Sequence, residues 1–309
     1  MIDLDTFINM RKRFLIIYHR IDYDGLCSMA VTKRYLSQTY PDSYIEIYGF
    51  NYGDTILNLN EVLEQFDMIF LVDISFPAAE MNLLANSGKA AWIDHHITQI
   101  TESQECGFDK LPGVRVDGTA ACELCWKFFF PDIEVPLGVK YLSHYDTWKH
   151  DVYSWDDEIL PYQYGLRAEF SLNAQKFYDK FEHVLREVDS IKENGRAVLN
   201  YLYSAWKGTV KGYAFDVTIA GKYKGVCMLT NTFGSSQFDS VKDRYDVFVC
   251  VNRKGPDLYN FSMYVNDGCD FNAGEHMKKF YGGGGHAKSS GGKLNLTQFI
   301  HLVHDCEID

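Results

Sequence analysis

Short apolar runs alternate with segments of helical periodicity through the first half of the chain. The runs Phe14–Tyr18 and Met68–Val72 are rich in β-branched and aromatic residues, which predicts two buried strands. Helical patterns at Leu26–Leu36 and Pro77–Asn86 follow them. Because strands and helices alternate, we predict a parallel sheet with helices on both faces. Further strands are expected at Tyr44–Tyr48 and Ala90–Ile93, and a further helix at Thr119–Phe130.

The second half begins with a long helical segment. From about Asn173 to Trp206, apolar residues recur at steps of three and four, and Gly195 is the expected weak point of this helix. After Gly208 the pattern changes to short strands and helices. We therefore predict an α/β protein with a parallel-sheet domain at 1–170, a long connecting helix within a linker at 171–207, and a smaller α/β domain at 208–309. The expected later elements are strands at Ala214–Ile219, Gly225–Thr230, Val247–Val251 and Asn260–Val265 and a helix at Phe271–Phe280.

Composition narrows the class of protein. The net charge is −12, from 42 acidic and 30 basic residues. Long nucleic acid is bound largely through neutralisation of phosphates by Lys and Arg, so this balance argues against a duplex-binding surface. The acidic N-terminus Met1–Asp5 lacks the pattern of a secretory signal, no apolar run has the roughly 18 residues of a membrane helix, and the eight cysteines form no framework. We expect a soluble, cytoplasmic protein without membrane contact.

Acidic and histidine residues stand where the predicted strands end. The carboxyl ends of parallel strands meet at one edge of the sheet, which is where such folds bind ligands. The candidates supply enough ligands for two divalent ions, an arrangement typical of phosphoester hydrolysis. They are His19, Asp22, Asp24, Asp73, Asp94, His95 and His96 at strand ends, and Asp146 in a fourth segment beside a hydrophobic run.

Several candidates also have plainer interpretations. Asp22, Asp24 and Asp73 are residues that a polar turn or a helix N-cap would use. Asp146 has the weakest support, because a solvated loop carboxylate is an equally fair interpretation. Three later aspartates compete with it for the role, namely Asp151, Asp156 and Asp157.

The donor types indicate which metal to expect. Carboxylate and imidazole without thiolate favour Mn²⁺ or Mg²⁺ over a structural zinc ion. The pair Cys122 and Cys125 could suggest zinc or redox chemistry, but it has no second pair and lies in an apolar helical segment. We interpret both cysteines as core residues.

A glycine-rich loop is the second strong feature of the sequence. Gly282–Gly285 precede His286, and Gly291–Gly292 follow shortly after. Consecutive glycines allow positive φ and let backbone N–H groups surround an anion. A flexible hinge is the alternative, although a hinge does not call for a histidine between glycines. We favour an anion-binding loop.

Taken in this order, these motifs make the chain resemble the DHH/DHHA1 phosphoesterase superfamily, and within it the nanoRNase (short oligoribonuclease) and dinucleotide phosphodiesterase branch. The resemblance runs through nearly the whole chain. It implies an N-terminal DHH domain, a C-terminal DHHA1 domain and an active site in the cleft between them. The motifs are His19-x-x-Asp22-x-Asp24-Gly25, Val72-Asp73, Asp94-His95-His96, Asp146 and Gly282–His286.

The resemblance also implies roles. One Mn²⁺ would take His19, Asp22 and Asp73, and a second would take Asp24, Asp73, His95 and Asp146, with Mg²⁺ or Co²⁺ as substitutes. Asp94 would support the site, and His96 would contact the scissile phosphate. The second domain would hold the substrate's terminal phosphate or ribose. Its expected contacts are Gly283, Gly284, Gly285, His286, Ser289, Ser290 and Arg253.

The sequence departs from the family pattern in the second domain. Ser262-Met263-Tyr264 stands where an arginine is common, and Ser289 and Ser290 replace the usual alanines. A missing arginine removes a bidentate phosphate contact, which Arg253 could replace. These departures bear on the substrate and leave the metal ligands intact.

We therefore expect a phosphodiesterase that converts short oligonucleotides or linear dinucleotides to mononucleotides. Two other enzymatic hypotheses stay open: a phosphomonoesterase acting on a nucleoside 3′,5′-bisphosphate, and a polyphosphate or pyrophosphate hydrolase. A catalytically silent relative that only binds nucleic acid is the non-enzymatic alternative, and it would show lost ligands and a basic channel. A homodimer is compatible with the sequence but not required by it.

Overall fold

The computed structural model describes residues 11–231 and 234–304, so the acidic segment Met1–Asp5 lies outside the described part. Contacts divide the chain into two compact units, Met1–Val198 and Leu199–Asp309. The dividing point lies inside the long helix that the sequence predicts as a linker.

A four-stranded parallel sheet forms the centre of the first unit. Its strands are β1 (Arg13–His19), β2 (Tyr44–Phe50), β3 (Met68–Val72) and β4 (Ala90–Ile93), in the order β2-β1-β3-β4. Successive side chains of a strand point to opposite faces. Phe14 and Ile16 accordingly enter one hydrophobic core and Leu15 and Ile17 the other. The predicted parallel sheet, covered on both faces, is confirmed.

Helices on the two faces complete the first unit, and the last of them, α10, continues past Val198 into the second unit. The helix after β1 is longer at both ends than the predicted Leu26–Leu36: it begins at Tyr23, with three residues between it and the end of the strand, and it ends at Thr39. The helices are α1 (Tyr23–Thr39), α2 (Leu59–Gln65), α3 (Ala78–Ser87), α4 (Ile97–Cys106), α5 (Ala121–Phe129), α6 (Leu137–Asp146), α7 (Leu160–Phe170), α8 (Ala174–Asp179), α9 (Phe181–Arg186) and α10 (Val188–Tyr213), with a short π-helical turn at Trp155–Ile159 before α7.

The prediction of one helix from Asn173 to Trp206 is wrong. The chain forms three helices there, α8, α9 and α10, with breaks at Lys180 and Glu187. Short helices in series keep the same apolar spacing as one long helix, so periodicity alone does not separate the two cases. The breaks let Phe177, Phe181 and Val184 all reach the same core.

The second unit is built on a six-stranded sheet in the order β5-β6-β7-β8-β10-β9. Only β6 and β7 pair in parallel, and the other neighbours are antiparallel. This confirms the predicted smaller α/β domain. Its strands are β5 (Phe215–Ile219), β6 (Tyr223–Leu229), β7 (Val247–Gly255), β8 (Leu258–Val265), β9 (Gly284–Gly285) and β10 (Ser289–Leu294), and its helical segments are a 3₁₀ segment (Ser235–Arg244), α11 (Ala273–Tyr281) and α12 (Leu296–His304).

No helix in the part of the chain described here has both the length and the apolar character needed to cross a membrane.

Gly195 is a close-packing site and not the weak point that the sequence suggested. A Cβ at this position would lie 1.7 Å from the carbonyl oxygen of Pro161 and 2.7 Å from the backbone nitrogen of Gly165. Glycine therefore lets α10 approach the start of α7 more closely than any other residue could. Gly208 in the same helix has nothing within 4 Å of the corresponding position.

These two glycines should respond oppositely to alanine. Gly195→Ala should lower the free energy of unfolding by about 1–3 kcal/mol, because the added methyl group has no space. Gly208→Ala is the matched control and should raise it by roughly 0.5–1 kcal/mol, because alanine favours an exposed helix position. Urea denaturation followed by circular dichroism measures both. Equal effects would contradict the close approach of the two helices.

Candidate metal centre

The first group of site residues follows β1 through a tight turn. His19 ends the strand, and Asp22 caps α1 by accepting a hydrogen bond from the Gly25 backbone N–H at 2.8 Å. A Cβ on Gly25 would lie 1.9 Å from the carbonyl oxygen of His19, so this position requires glycine. The turn brings His19 Nδ1 to 2.8 Å from Asp22 Oδ2.

Asp24 lies in the first turn of α1 and is buried. Its two carboxylate oxygens accept hydrogen bonds from the backbone N–H groups of Ala121 at 2.9 Å and Cys122 at 2.7 Å, at the N-terminus of α5. Burial and the neighbouring charge of Asp73 nevertheless raise the pKa of Asp24 to about 7. The carboxylate is thus held rigidly in a place where its negative charge lacks compensation.

Asp73 occupies the centre of the site. It follows β3 directly and adopts a left-handed backbone with φ of 60°, which is strained for a residue other than glycine. Its Oδ2 lies 3.6 Å from His19 Nδ1, and its Oδ1 lies 3.3 Å from His95 Nε2. One carboxylate therefore faces both groups of candidate ligands.

Asp94 is fully buried and serves the two histidines that follow it. Its Oδ1 accepts hydrogen bonds from the backbone N–H groups of His95 at 2.7 Å and His96 at 3.2 Å, and lies 2.7 Å from His96 Nδ1. Its Oδ2 accepts the indole N–H of Trp92 at 3.1 Å. Burial alone would raise the pKa of Asp94, but the interactions with His96 outweigh it and hold the pKa low. Asp94 positions the imidazoles and is absent from the groups of side chains that could hold an ion.

Asp146 reaches the site from a helix. It is the last residue of α6, so the fourth segment is a helix end and not the loop that the sequence suggested. Its Oδ2 lies 3.2 Å from His95 Nε2, and Asp24 Oδ2 lies 3.5 Å from the same nitrogen. Burial and the charge of Asp24 raise the pKa of Asp146 to about 7.

The structure brings all eight predicted N-terminal candidates into one cluster at the carboxyl edge of the sheet. The cluster contains three sets of three residues that could each hold an ion. Within each set, one ligand atom from every residue lies within 4.8 Å of the other two. Two of the sets fall inside the ligand groups that the family resemblance implies, and the third adds His96. The sets are His19, Asp22 and Asp73; Asp24, His95 and Asp146; and Asp73, His95 and His96.

The donor atoms fit divalent cations. His19 Nδ1 and Asp73 Oδ1 are buried and lack an aligned hydrogen-bond partner, although His19 Nδ1 lies close to two carboxylates. Burial lowers the pKa of His19 and His95, but the surrounding carboxylates outweigh it and raise the values to about 11 and about 10. The cluster therefore requires positive charge. Oxygen and imidazole donors without thiolate suit Mn²⁺ or Mg²⁺.

The two cysteines considered for zinc lie elsewhere. Cys122 and Cys125 are fully buried in the hydrophobic core on one face of the sheet, and burial raises the pKa of both thiols. Neither belongs to a set of candidate ligand atoms. Their placement agrees with the interpretation as core residues.

Two residues near the cluster were not predicted. Asn51 Oδ1 lies 3.2 Å from His19 Nε2, and the ring of Tyr52 meets the rings of His19 and His96 edge to face. Asn51 directly follows β2. The reasoning that identified Asp73, namely that polar residues directly after parallel strands meet at one edge of the sheet, therefore applies to Asn51 as well. It was missed because amides were not counted among the candidates.

The predicted substrate-binding loop forms an ordered hairpin in the second unit. Gly284 and Gly285 constitute β9 and pair with Gly291 and Ser290 of β10, and the His286 backbone N–H donates to the carbonyl oxygen of Ser289 at 2.7 Å. Gly285 has a φ of 137°. The hairpin is therefore not the flexible hinge of the alternative interpretation. Ser290 is buried within it, and its Oγ has no hydrogen-bond partner.

Arg253 is not brought to this hairpin. It pairs with Tyr259 at one end of β8, whereas Ser289 pairs with Tyr264 at the other end. At the usual strand rise, five residues separate the two positions by roughly 17 Å. The Arg253 Nε instead donates to the carbonyl oxygen of Gly255 at 2.9 Å.

The part of the chain that contains most of this cluster matches the model of a known protein family. Residues 13–145 match the family model described as "DHH family, N-terminal domain". The matched residues all lie within the first unit. The matched segment includes every candidate of the cluster except Asp146, which follows it by one residue. Among curated protein sequences, none matches the chain at a significant level.

Solved structures share the DHH fold. The DHH domain of a member of the s1p family of ribosomal proteins is 13% identical, with a TM-score of 0.62, and the alignment covers 96% of this chain and 85% of that one. The pGpG-specific phosphodiesterase PggH from Vibrio cholerae is 12% identical, with a TM-score of 0.50 and coverage of 96% and 97%. RecJ in complex with Mn²⁺ from Thermus thermophilus is 14% identical, with a TM-score of 0.50 and coverage of 97% and 52%. At such identities, the likeness shows the fold.

The sharing of Asp73 gives a prediction for metal stoichiometry. The protein should bind two Mn²⁺ per chain, and His19→Gln and Asp146→Asn should each remove one ion and keep the other. Asp73→Asn should weaken both sites, because its carboxylate faces both ligand groups. Equilibrium dialysis with metal analysis measures the bound ions.

Asp132→Asn is the control for this series, since Asp132 is an exposed carboxylate outside the cluster. It should leave the stoichiometry at two. Two results would contradict the arrangement: the loss of both Mn²⁺ ions in His19→Gln, or unchanged binding of both Mn²⁺ ions in Asp73→Asn.

Proposed function

We infer that the protein is a metal-dependent phosphoesterase, and we propose that it hydrolyses short oligonucleotides or linear dinucleotides to mononucleotides with two Mn²⁺ ions. One observation carries this proposal: Asp73 stands between two sets of oxygen and imidazole donors at the carboxyl edge of a DHH-domain sheet. The preference for Mn²⁺ is supported by the donor types and by the RecJ neighbour that is described as bound to Mn²⁺. Mg²⁺ or Co²⁺ could substitute.

The residues divide the work as follows. When bound, the two ions would activate water and stabilise charge on the phosphoryl oxygens. His19, Asp22 and Asp73 would hold one ion, and Asp24, His95 and Asp146 would hold the other together with Asp73. Asp24 is kept in place by the backbone of α5, so its carboxylate does not need to reorganise when charge develops on the phosphoryl oxygens.

His96 is the group that faces the substrate in this proposal. Asp94 accepts its Nδ1–H, which fixes the ring and leaves Nε2 as the nitrogen available to the ester. A proton on Nε2 can pass to the leaving oxygen. Asp94 therefore acts through His96 and His95 and not on the substrate itself.

Short, linear substrates fit the charge of the chain better than long ones. With a net charge of −12, the protein offers little basic surface for a long duplex. The PggH neighbour is described as specific for pGpG, a linear dinucleotide. The proposal places the terminal phosphate or ribose against the glycine hairpin, with contacts from Gly283, Gly284, Gly285, His286, Ser289 and Ser290. It also includes a cytoplasmic location for the protein.

A substrate panel tests the proposal. Purified protein with Mn²⁺ should hydrolyse a dinucleotide faster than a longer single strand, a cyclic dinucleotide, a nucleoside 3′,5′-bisphosphate or pyrophosphate, with mononucleotides as products. A chelator should abolish turnover. Release of phosphate from the bisphosphate alone would replace the proposal with the monoesterase, and turnover of pyrophosphate alone would replace it with the third hypothesis.

The double variant Asp94→Ala, His95→Ala tests the site within this function. It should lose more than about 10³-fold in kcat/KM for the dinucleotide, because it removes one ion ligand and the residue that positions the imidazoles. Asp132→Ala should keep the activity of the unaltered protein. Retained turnover in the double variant would discard the site. Absence of turnover for every substrate in a protein that still binds oligonucleotides would favour the silent relative.

A further inference from the structure

The loop that follows β2 lies against one member of the cluster of candidate metal ligands. It spans Asn51–Asp54, and we call it the β2 loop. β1 and β2 pair in parallel with His19 opposite Phe50, so the register places the next residue, Asn51, close to the imidazole. Asn51 Oδ1 lies 3.2 Å from His19 Nε2. The edge strand of the sheet therefore contacts the site through an amide.

The two ring nitrogens of His19 have different surroundings. Nδ1 lies 2.8 Å from Asp22 Oδ2 and 3.6 Å from Asp73 Oδ2, so it is the nitrogen that a cation held by these carboxylates would meet. Coordination uses the lone pair of Nδ1, which leaves the ring proton on Nε2. Asn51 Oδ1 is an acceptor within hydrogen-bond distance of that proton.

Hydrogen bonds hold Asn51 in this position. Its backbone N–H donates to Asp54 Oδ2 at 2.8 Å, and the Asp54 N–H donates to the Asn51 carbonyl oxygen at 3.0 Å. Arg20, the residue after His19, donates to the Asp54 carboxylate from Nε at 3.2 Å and from Nη2 at 2.9 Å. The Arg20 backbone N–H also donates to the carbonyl oxygen of Phe50 at 3.1 Å. The β2 loop is thus tied to the chain segment that carries the imidazole.

Tyr52 extends the same loop across two imidazoles. Its ring centre lies 5.8 Å from that of His19 and 6.3 Å from that of His96, and both pairs meet edge to face. Ring contacts of this kind limit the rotation of an imidazole about its side-chain bonds. With Asn51 at Nε2 and Tyr52 against the ring, His19 is fixed in the orientation that directs Nδ1 at the carboxylates.

We propose that Asn51 is a positioning residue of the metal centre: it accepts the Nε2–H of His19 and keeps the Nδ1 lone pair directed at one of the two ions. Loss of such a partner from a metal-binding histidine typically costs about 10–100-fold in metal affinity. This inference rests on the proposed function, because it presupposes the two-ion centre. It deepens that function by assigning one ion, and not the other, a dependence on the β2 loop.

Asn51→Leu tests this role, because leucine keeps the size of the side chain and removes the acceptor. Free Mn²⁺ is followed by electron paramagnetic resonance during titration of the protein. The variant should bind one ion about 10-fold or more weakly and the other with nearly the original affinity. Asn86→Leu is the matched control, since Asn86 is an exposed asparagine whose Oδ1 accepts from Lys110, and it should bind both ions normally. Normal binding of both ions by Asn51→Leu would overturn the proposal.

Asn51→Asp separates the hydrogen bond from the shape of the loop. Aspartate places an oxygen acceptor at the same position and has no side-chain N–H to donate, so this variant should bind both ions at least as tightly as the unaltered protein. Weakening of the same ion as strongly as in Asn51→Leu would refute the role of the acceptor. Weakening of both ions in Asn51→Leu, together with a lower Tm of the metal-free variant, would also refute it and make Asn51 a structural residue.

Asp54→Ala tests the support of Asn51. It removes the acceptor of the Asn51 backbone N–H and of Arg20, so it should weaken the same ion by a smaller factor. Because Asp54 acts through Asn51 in this proposal, adding Asp54→Ala to Asn51→Leu should cause no further loss of affinity. Losses that multiply in the double variant would contradict this order of action.

The Co²⁺-loaded protein gives a readout of the ring itself. Its proton NMR spectrum should contain a hyperfine-shifted, exchangeable imidazole N–H signal that is lost in His19→Gln. That proton should exchange with solvent faster in Asn51→Leu than in the unaltered protein, because its acceptor is gone. Equal exchange rates would show that Asn51 does not hold the proton.

These measurements do not use turnover, so they are separate from the test of the proposed function. If no ester is hydrolysed but Asn51→Leu selectively weakens one of two bound ions, the proposed function fails and the role of Asn51 stands. If the dinucleotide is hydrolysed and Asn51→Leu binds both ions normally, the role of Asn51 fails and the function stands.

Discussion

The concentration of negative charge around Asp73 is the constraint on which the rest of the site depends. Asp22 and Asp73 approach the imidazole of His19, and Asp24, Asp73 and Asp146 approach that of His95. Carboxylates gathered around shared neighbours in this way repel one another strongly where water is excluded. Burial, together with this repulsion, raises the pKa of Asp24 and of Asp146 to about 7. Positive charge in the same space, from protonated imidazoles or from bound cations, lets all these carboxylates stay ionised. Divalent ions meet that requirement and also supply the chemistry.

Backbone groups and backbone conformation hold these charged side chains in place. The backbone of α5 donates to Asp24, the backbone at 95 and 96 donates to Asp94, and a strained conformation turns Asp73 inward. The parallel sheet supplies the common edge from which these residues start. Rigid attachment matters because the ligands repel one another, and flexible carboxylates would turn away toward water.

Part of this arrangement is readable from sequence. An apolar run that ends in a polar residue indicates a strand end, and parallel strand ends share one edge, so His19, Asp73 and Asp94 could be grouped without coordinates. This reasoning does not apply to residues at the ends of helices, and Asp146 is the last residue of α6. The same reasoning would have reached Asn51 if amides had been counted.

Other features depend on contacts between distant segments. The break of the segment from 173 to 206 into three helices is set by packing against the core, which apolar spacing does not encode. The need for glycine at position 195 is explained by the carbonyl oxygen of Pro161 in α7, which leaves no space for a Cβ atom. The distance of Arg253 from the glycine hairpin follows from strand register, which cannot be read from residue types.

The most direct measurement is a crystal structure of the protein grown with Mn²⁺, with anomalous scattering recorded at the manganese edge. Two peaks should lie about 3.5–4 Å apart, with one oxygen of Asp73 or its whole carboxylate between them. Manganese peaks that avoid Asp73, or an absence of peaks in the cluster at saturating Mn²⁺, would contradict the bimetallic centre.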